Sequence, residues 1–170
     1  SGSGSGRQIN NYQLELAGTG TWASTTANMN SGSVGTLRVL SGGQLDVTGD
    51  FGVLNNQGGG ASRLAVQTGG TLRRTTSTGA VQFSMGTDDS GSVQVLTGTL
   101  DLTGGGTSSG TYSVATGATI EFGGAAHTLQ AGSTVSGTGT VLVSGGTVSA
   151  GGTWTHGGLT QVNGGTLNYS

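Results

Sequence analysis

The chain has 170 residues, including 38 Gly and no Pro or Cys, and five Arg against seven Asp and Glu give a net charge of −2. The absence of Cys excludes disulfides and thiolate metal sites. The weak negative charge offers no cationic field to nucleic acid or anionic lipid. No apolar run approaches the roughly 18 residues of a membrane span, and no segment has the pattern of a signal peptide.

The first 36 residues divide into two parts. Residues 1–6 (SGSGSG) have the composition of a flexible linker. Residues 7–36 predict an irregular lead-in or cap, in which Tyr12, Leu14 and Leu16 alternate as a first strand. The polar stretch after them carries Trp22, which we expect to cover the open end of the core.

From Leu37 onward one motif recurs, consisting of two short strands of period 2 joined by a glycine turn. Its copies are LRVLSGGQLDV, LAVQTGGTLRR, VQVLTGTLDL, YSVATGATIEF and VLVSGGTVSA. Such a unit cannot bury its apolar face alone, but stacked copies can. Residues 7–170 therefore predict one all-β domain, a single-stranded parallel β-helix (β-solenoid) with three short strands per coil and about six to seven coils. The pattern continues to the last residue, so we expect a fragment or a protomer of a longer assembly.

Alternation within the motif predicts which side chains point inward. Leu37, Val39, Leu45 and Val47 should face the core, because successive residues of a strand face opposite sides. The same outward position of the second strand holds Asp46, Arg73, Asp101, Glu121 and Ser149 in successive copies. If the copies stack in phase, these side chains form one column along a face.

Two stretches, GTLRVLSGGQLDVTGDFGVLNNQGGG and TYSVATGATIEFGGAAHTL, resemble the repeats of bacterial autotransporter passengers and related large secreted surface proteins. The resemblance covers residues 34–170. It implies a right-handed β-helix and an extracellular or cell-surface location. That group includes adhesins, stalk segments and a minority of enzymes, so the resemblance does not specify an activity.

The charged column has a structural and a catalytic interpretation. We favour a ladder of ion pairs through Asp46, Arg73 and Asp101. Alternatively, Asp101 and Glu121 form the carboxylate pair of a glycosidase. Arg74 falls on an inward position where an unpaired guanidinium would be costly, so we predict that the strand ends or bulges at Leu72 and that RRTTSTG forms an exposed loop.

Other candidate ligand sites are weaker. The pairs Asn55-Asn56 and Asp88-Asp89 could supply oxygen ligands to Ca²⁺, but stacked polar corners are the simpler interpretation. His127 and His156 have no partner at ligand spacing, so we expect no metal site, and no cofactor motif occurs. Trp154, Arg73 and Arg74 are weak candidates for contact with a glycan.

The leading functional hypothesis is a non-enzymatic structural or adhesive segment of an extracellular bacterial surface protein. Its expected partners are copies of itself or adjoining coils of a longer chain, and surface glycans, with neither nucleic acid nor membrane insertion. Trp22 and Leu167 are the candidate self-association ends. The alternatives are a glycan-binding or glycan-processing β-helix and, as a minor one, an ice-binding solenoid. The triplets Thr19-Gly-Thr21, Thr138-Gly-Thr140 and Thr153-Trp-Thr155 suggest the latter but lie outside the common positions of the motif.

Overall fold

A computed structural model describes residues 8–9, 13–23, 29–31, 35–54 and 62–170, and within these ranges the chain forms strands and turns. As far as Asp89 the strands are β1 (Gln8–Ile9), β2 (Gln13–Leu16), β3 (Thr19–Trp22), β4 (Met29–Ser31), β5 (Thr36–Val39), β6 (Gln44–Val47), β7 (Gly52–Leu54), β8 (Arg63–Val66), β9 (Thr71–Arg74), β10 (Ala80–Phe83) and β11 (Gly86–Asp89). From Ser92 they are β12 (Ser92–Val95), β13 (Thr99–Leu102), β14 (Gly106–Ser108), β15 (Thr111–Val114), β16 (Thr119–Phe122), β17 (His127–Leu129), β18 (Thr134–Gly137), β19 (Thr140–Val143), β20 (Thr147–Ala150), β21 (Thr153–Trp154), β22 (Leu159–Val162) and β23 (Thr166–Tyr169).

Every third strand belongs to the same sheet, and the strands pair in parallel. Sheet 1 runs β1-β4-β7-β10-β13-β16-β19-β22, sheet 2 runs β2-β5-β8-β11-β14-β17-β20-β23, and sheet 3 runs β3-β6-β9-β12-β15-β18-β21. One strand from each sheet, in that order, makes a coil, so β1 begins coil 1 and β21 ends coil 7. The predicted parallel β-solenoid with three strands per coil is therefore confirmed.

The core is a thin column of inward side chains between the three sheets. Leu37, Val39, Leu45 and Val47 are buried as predicted. Leu37 lies beside Leu64 of the next coil, whereas Val47 lies beside Arg74. The parallel register therefore places corresponding residues of successive coils side by side, and the three sheets enclose the core between them.

The two glycines of the turn between β8 and β9 have different roles. Gly69 has φ +81°, a left-handed conformation that residues with a Cβ adopt only at a cost. Gly70 needs space, because a Cβ there would lie 2.7 Å from the carbonyl oxygen of Val39 in the preceding coil. The first glycine turns the chain, and the second lets one coil approach the next.

Each copy of the motif forms one corner of the solenoid, that is, two consecutive strands and the turn between them, and does not form a whole coil. The copies that begin at Leu37 and Leu64 connect sheet 2 to sheet 3, and those that begin at Val93 and Tyr112 connect sheet 3 to sheet 1. The copy that begins at Val141 connects sheet 1 to sheet 2. The expectation that all five copies stack in phase is therefore wrong, because all three corners use the same turn chemistry. Only copies that occupy the same corner are neighbours in the stack.

The lead-in segment is more regular than predicted where the structure describes it. β2 pairs with β5 over four residues and β3 pairs with β6 over four residues, so they form part of coil 1. Residues 1–6 and 24–28, which include the predicted linker and part of the predicted cap, lie outside the described residues.

Candidate functional site

Asp46 and Arg73 are neighbours on the outer face of sheet 3, where β6 pairs with β9. Arg73 donates two hydrogen bonds to the Asp46 carboxylate, at 2.7 and 2.9 Å. These bonds and the guanidinium charge hold the pKa of Asp46 below its usual value. The predicted ion pair is confirmed, and it already engages the Arg73 guanidinium that we considered for glycan contact.

The prediction that all five residues share one column is wrong. The next neighbour of Arg73 along sheet 3 is Gln94, whereas Asp101 and Glu121 lie side by side in sheet 1. Ser149 lies in sheet 2 beside Thr128. These residues belong to motif copies at different corners, so they project from three different faces.

Arg74 is the inward-facing last residue of β9 and is completely buried. Its guanidinium donates hydrogen bonds to the carbonyl oxygens of Gly49, at 2.7 Å, and Gly79, at 3.1 Å. It also forms an ion pair with Asp50. The Ser77 hydroxyl and then Arg74 bond to this carboxylate and hold the pKa of Asp50 below its usual value.

The predictions for Arg74 are therefore wrong on two points. The strand continues to Arg74 and does not end or bulge at Leu72. Arg74 is also not a glycan contact, since none of it reaches the surface. Carbonyl oxygens and one carboxylate offset the cost of burying the guanidinium, and the arginine ties the turn after β9 to the turn of the preceding coil.

Asp101 and Glu121 form the pair of acids that could support catalysis. They are directly opposite each other on β13 and β16. Gln82 donates a hydrogen bond of 2.8 Å to Asp101, and the Ser144 hydroxyl donates one to Glu121. Burial raises the pKa of Asp101, and the charge of Glu121 raises it further. A carboxyl shifted towards its protonated form beside a carboxylate is the chemistry of a glycosidase pair.

The aromatic side chains that could hold a sugar lie away from this pair. Tyr112 is buried, with 2 % of its surface exposed. Trp154 is the last residue of β21 and contacts Tyr169 of β23 edge to face, with ring centroids 5.4 Å apart. Among the described residues, aromatic rings therefore do not line the outer face of sheet 1 beside Asp101 and Glu121.

Asp89, which we expected at a stacked polar corner, instead lies in β11 and forms a buried polar site. It is 2 % exposed on the inner side of β11. The Tyr112 hydroxyl donates a hydrogen bond of 2.9 Å to it, and the Val66 N–H donates one of 3.3 Å. Burial raises the pKa of Asp89 to about 7, and the neighbouring charge of Asp88 adds to this rise. Period-2 alternation from Val81 would have placed Asp89 inward.

The remaining polar candidates do not converge. Asp88 lies on the outer side of β11, where Arg63 pairs with it at 3.5 Å, and Asn55 and Asn56 lie outside the described residues. His127 is buried against Phe122, and burial lowers its pKa. In the part of the chain that the structure describes, no three His, Cys, Asp or Glu side chains come close enough to hold a metal ion together.

Comparison of the chain with protein-family models, curated proteins and solved structures gives no significant match. The described residues contain no helix long and apolar enough to cross a membrane. Function must therefore be inferred from the geometry of the solenoid.

The two ends of the core column carry exposed apolar side chains. Leu14 in coil 1 is 53 % exposed, and Val162 and Tyr169 after coil 7 are 49 % and 60 % exposed. Trp22 and Leu167, the residues predicted for the ends, are partly buried against the core at opposite ends of the column. The apolar column is thus open at both described ends.

Proposed function

We propose that the chain is a non-enzymatic structural or adhesive segment of an extracellular bacterial surface protein or fibre. The observation that carries the proposal is the continuous hydrogen-bonded ladder, which passes through all three sheets without interruption. With strands about 4.8 Å apart, seven coils make a rod about 30 Å long whose cross-section is set by a continuous core. The resemblance of the repeats to autotransporter passengers supports the surface location.

The non-enzymatic part of the proposal is tested on the Asp101–Glu121 pair. We expect no release of reducing ends or unsaturated sugars when the protein is incubated with a broad panel of polysaccharides. Asp101→Asn removes one acid of the pair, and Asp46→Asn is the matched control on another face. Cleavage that persists in the Asp46→Asn variant and disappears in the Asp101→Asn variant would contradict the proposal.

We also propose that copies of the chain associate end to end. β22 and β23 each have one strand neighbour among the described residues, so each presents a row of unpaired N–H and C=O groups. Val162, Leu167 and Tyr169 lie in the inward columns of these strands. A second copy whose coil 1 continues the same three sheets would cover both features, and such a head-to-tail contact can propagate.

Light scattering over a range of protein concentrations tests this association. We expect the average mass of the wild type to rise with concentration. Tyr169→Asp places a charge in the open column and should keep the protein monomeric, whereas Asn168→Asp places the same charge on the outer face of β23 and should not. A wild type that stays monomeric at millimolar concentration would refute end-to-end association and leave the polysaccharide test unaffected.

A further inference from the structure

The outer face of sheet 3 carries a regular array of hydroxyl groups over coils 5 to 7. Thr111, Thr134 and Thr153 are register partners in one column. Ser113 and Ser136 are partners in the second column, and Thr155 extends it, because its N–H donates to the carbonyl oxygen of Val135. We call these six residues the hydroxyl array.

No other described outer face has two neighbouring columns of hydroxyl groups over three successive coils. Sheet 2 has one such column, formed by Thr107, Thr128 and Ser149. In sheet 1 the first outward column of the same coils is Thr99, Thr119 and Thr140, but the second is Asp101, Glu121 and Leu142. The hydroxyl array also lies in an uncharged region. Its neighbours in coil 4 are Ser92 and Gln94, and no Asp, Glu, Lys or Arg follows Glu121 in the sequence. The array is therefore a distinct surface within a solenoid whose other faces are mixed.

The geometry of the array is that of a fixed two-dimensional lattice. Within a column, hydroxyl groups of successive coils are about 4.8 Å apart. The two columns are about 6.6 Å apart along each strand. The strands are held from below by Tyr112 and Val135, which are buried, and by Trp154, which packs against the core. Ser136 also donates a hydrogen bond of 3.3 Å to the carbonyl oxygen of Tyr112, which orients its hydroxyl.

Such a lattice matches one kind of partner, a rigid uncharged surface that repeats donors and acceptors in two dimensions. Each hydroxyl offers one donor and two acceptor positions, so the array can hold a layer of bridging waters at regular intervals. The backbone is already fixed by the ladders, so binding costs little ordering entropy. Charged side chains would orient water around themselves, and the array has none.

We propose that the hydroxyl array is an ice-binding surface. This activity is independent of the structural role proposed above. The sequence-based objection that Thr-x-Thr triplets lie outside the common positions of the motif is wrong for Thr153-Trp-Thr155, which occupies the array. The objection holds for Thr138-Gly-Thr140, because Thr140 begins β19 of sheet 1 and Thr138 lies at a corner. The Thr138 hydroxyl there is 2.7 Å from the Thr116 hydroxyl.

Slow freezing of a protein solution tests the proposal by measuring how the chain partitions between growing ice and liquid. We expect the wild type to enter the ice and to show thermal hysteresis. Thr134→Tyr puts a ring in the middle of the array and should abolish both. Thr119→Tyr makes the same change at the matching position of sheet 1 in the same coil and should leave both intact.

Far-ultraviolet circular dichroism and melting temperature establish that both variants remain folded. Exclusion of the wild type from ice would overturn the proposal, and so would equal losses in the Thr134→Tyr and Thr119→Tyr variants. Binding to crystalline cellulose or chitin that is lost only in the Thr134→Tyr variant, without partitioning into ice, would also overturn it in favour of a polysaccharide surface.

Discussion

Replacement of Asp89 with Asn should stabilise the solenoid at neutral and alkaline pH. Asp89 lies inside the core, 2 % exposed, with the Tyr112 hydroxyl 2.9 Å and the Val66 N–H 3.3 Å away. No cation contacts it among the described residues, so its ionised form is poorly solvated there. Asparagine has the same shape and no charge, and it can accept from Val66 while donating to the tyrosine oxygen.

The magnitude follows from the raised pKa of Asp89, about 7 in the folded protein against its usual 3.8. At 1.36 kcal/mol per pH unit, this difference corresponds to about 4 kcal/mol. The folded state holds the proton more tightly than the unfolded state. Protonated Asp89 therefore contributes its full stability below pH 3.8, and this contribution is lost as pH rises towards 7. The Asp89→Asn variant should match the wild type in acid and exceed its stability by up to about 4 kcal/mol above neutrality.

Urea unfolding from about pH 4 to about pH 8 measures the difference in the free energy of unfolding between variant and wild type. Subtracting the free energy of unfolding of the wild type from that of the variant cancels the contributions of His127, Asp101 and the other titrating groups, which both proteins share. Asp88→Asn makes the same change on the outer side of the same strand. It removes a charge that contributes to the raised pKa of Asp89, so the pH dependence should weaken but persist. A difference between Asp89→Asn and wild type that stays constant with pH, or a variant less stable than wild type at about pH 8, would refute the reasoning.

Three further predictions concern stability. Arg74→Ala leaves the carbonyl oxygens and carboxylate around the guanidinium without their partner and should lower the free energy of unfolding by about 3–5 kcal/mol, measured by urea titration. Arg73→Gln breaks the partly exposed ion pair with Asp46. It should lower the free energy of unfolding by no more than about 1 kcal/mol, and by less at high salt. Gly117→Ala should cost about 1–2 kcal/mol because Gly117 has a positive φ, whereas Gly18→Ala, in equally open space without that φ, should cost nothing. Equal melting temperatures for the two alanine variants would contradict the last prediction.

The sequence alone determined the architecture, because the physics behind it is local. Alternation of residues such as Leu37 and Val39 indicates strands with one buried face, and paired glycines such as Gly69-Gly70 indicate tight corners between close coils. Repetition of that unit then requires stacking, whatever the order of the copies. The ion pair between Asp46 and Arg73 was also predictable, since both belong to copies that occupy the same corner.

Only the tertiary structure decided which residues become neighbours. All three corners of the solenoid use the same turn chemistry, so the sequence did not show that the copy with Asp101 lies one corner further round than the copy with Arg73. The inward placement of Arg74 depended on carbonyl oxygens supplied by the preceding coil. The hydroxyl array around Thr134 likewise exists only because three coils bring Thr111, Thr134 and Thr153 into register. These properties depend on contacts across whole coils, which local patterns of alternation and turns do not specify.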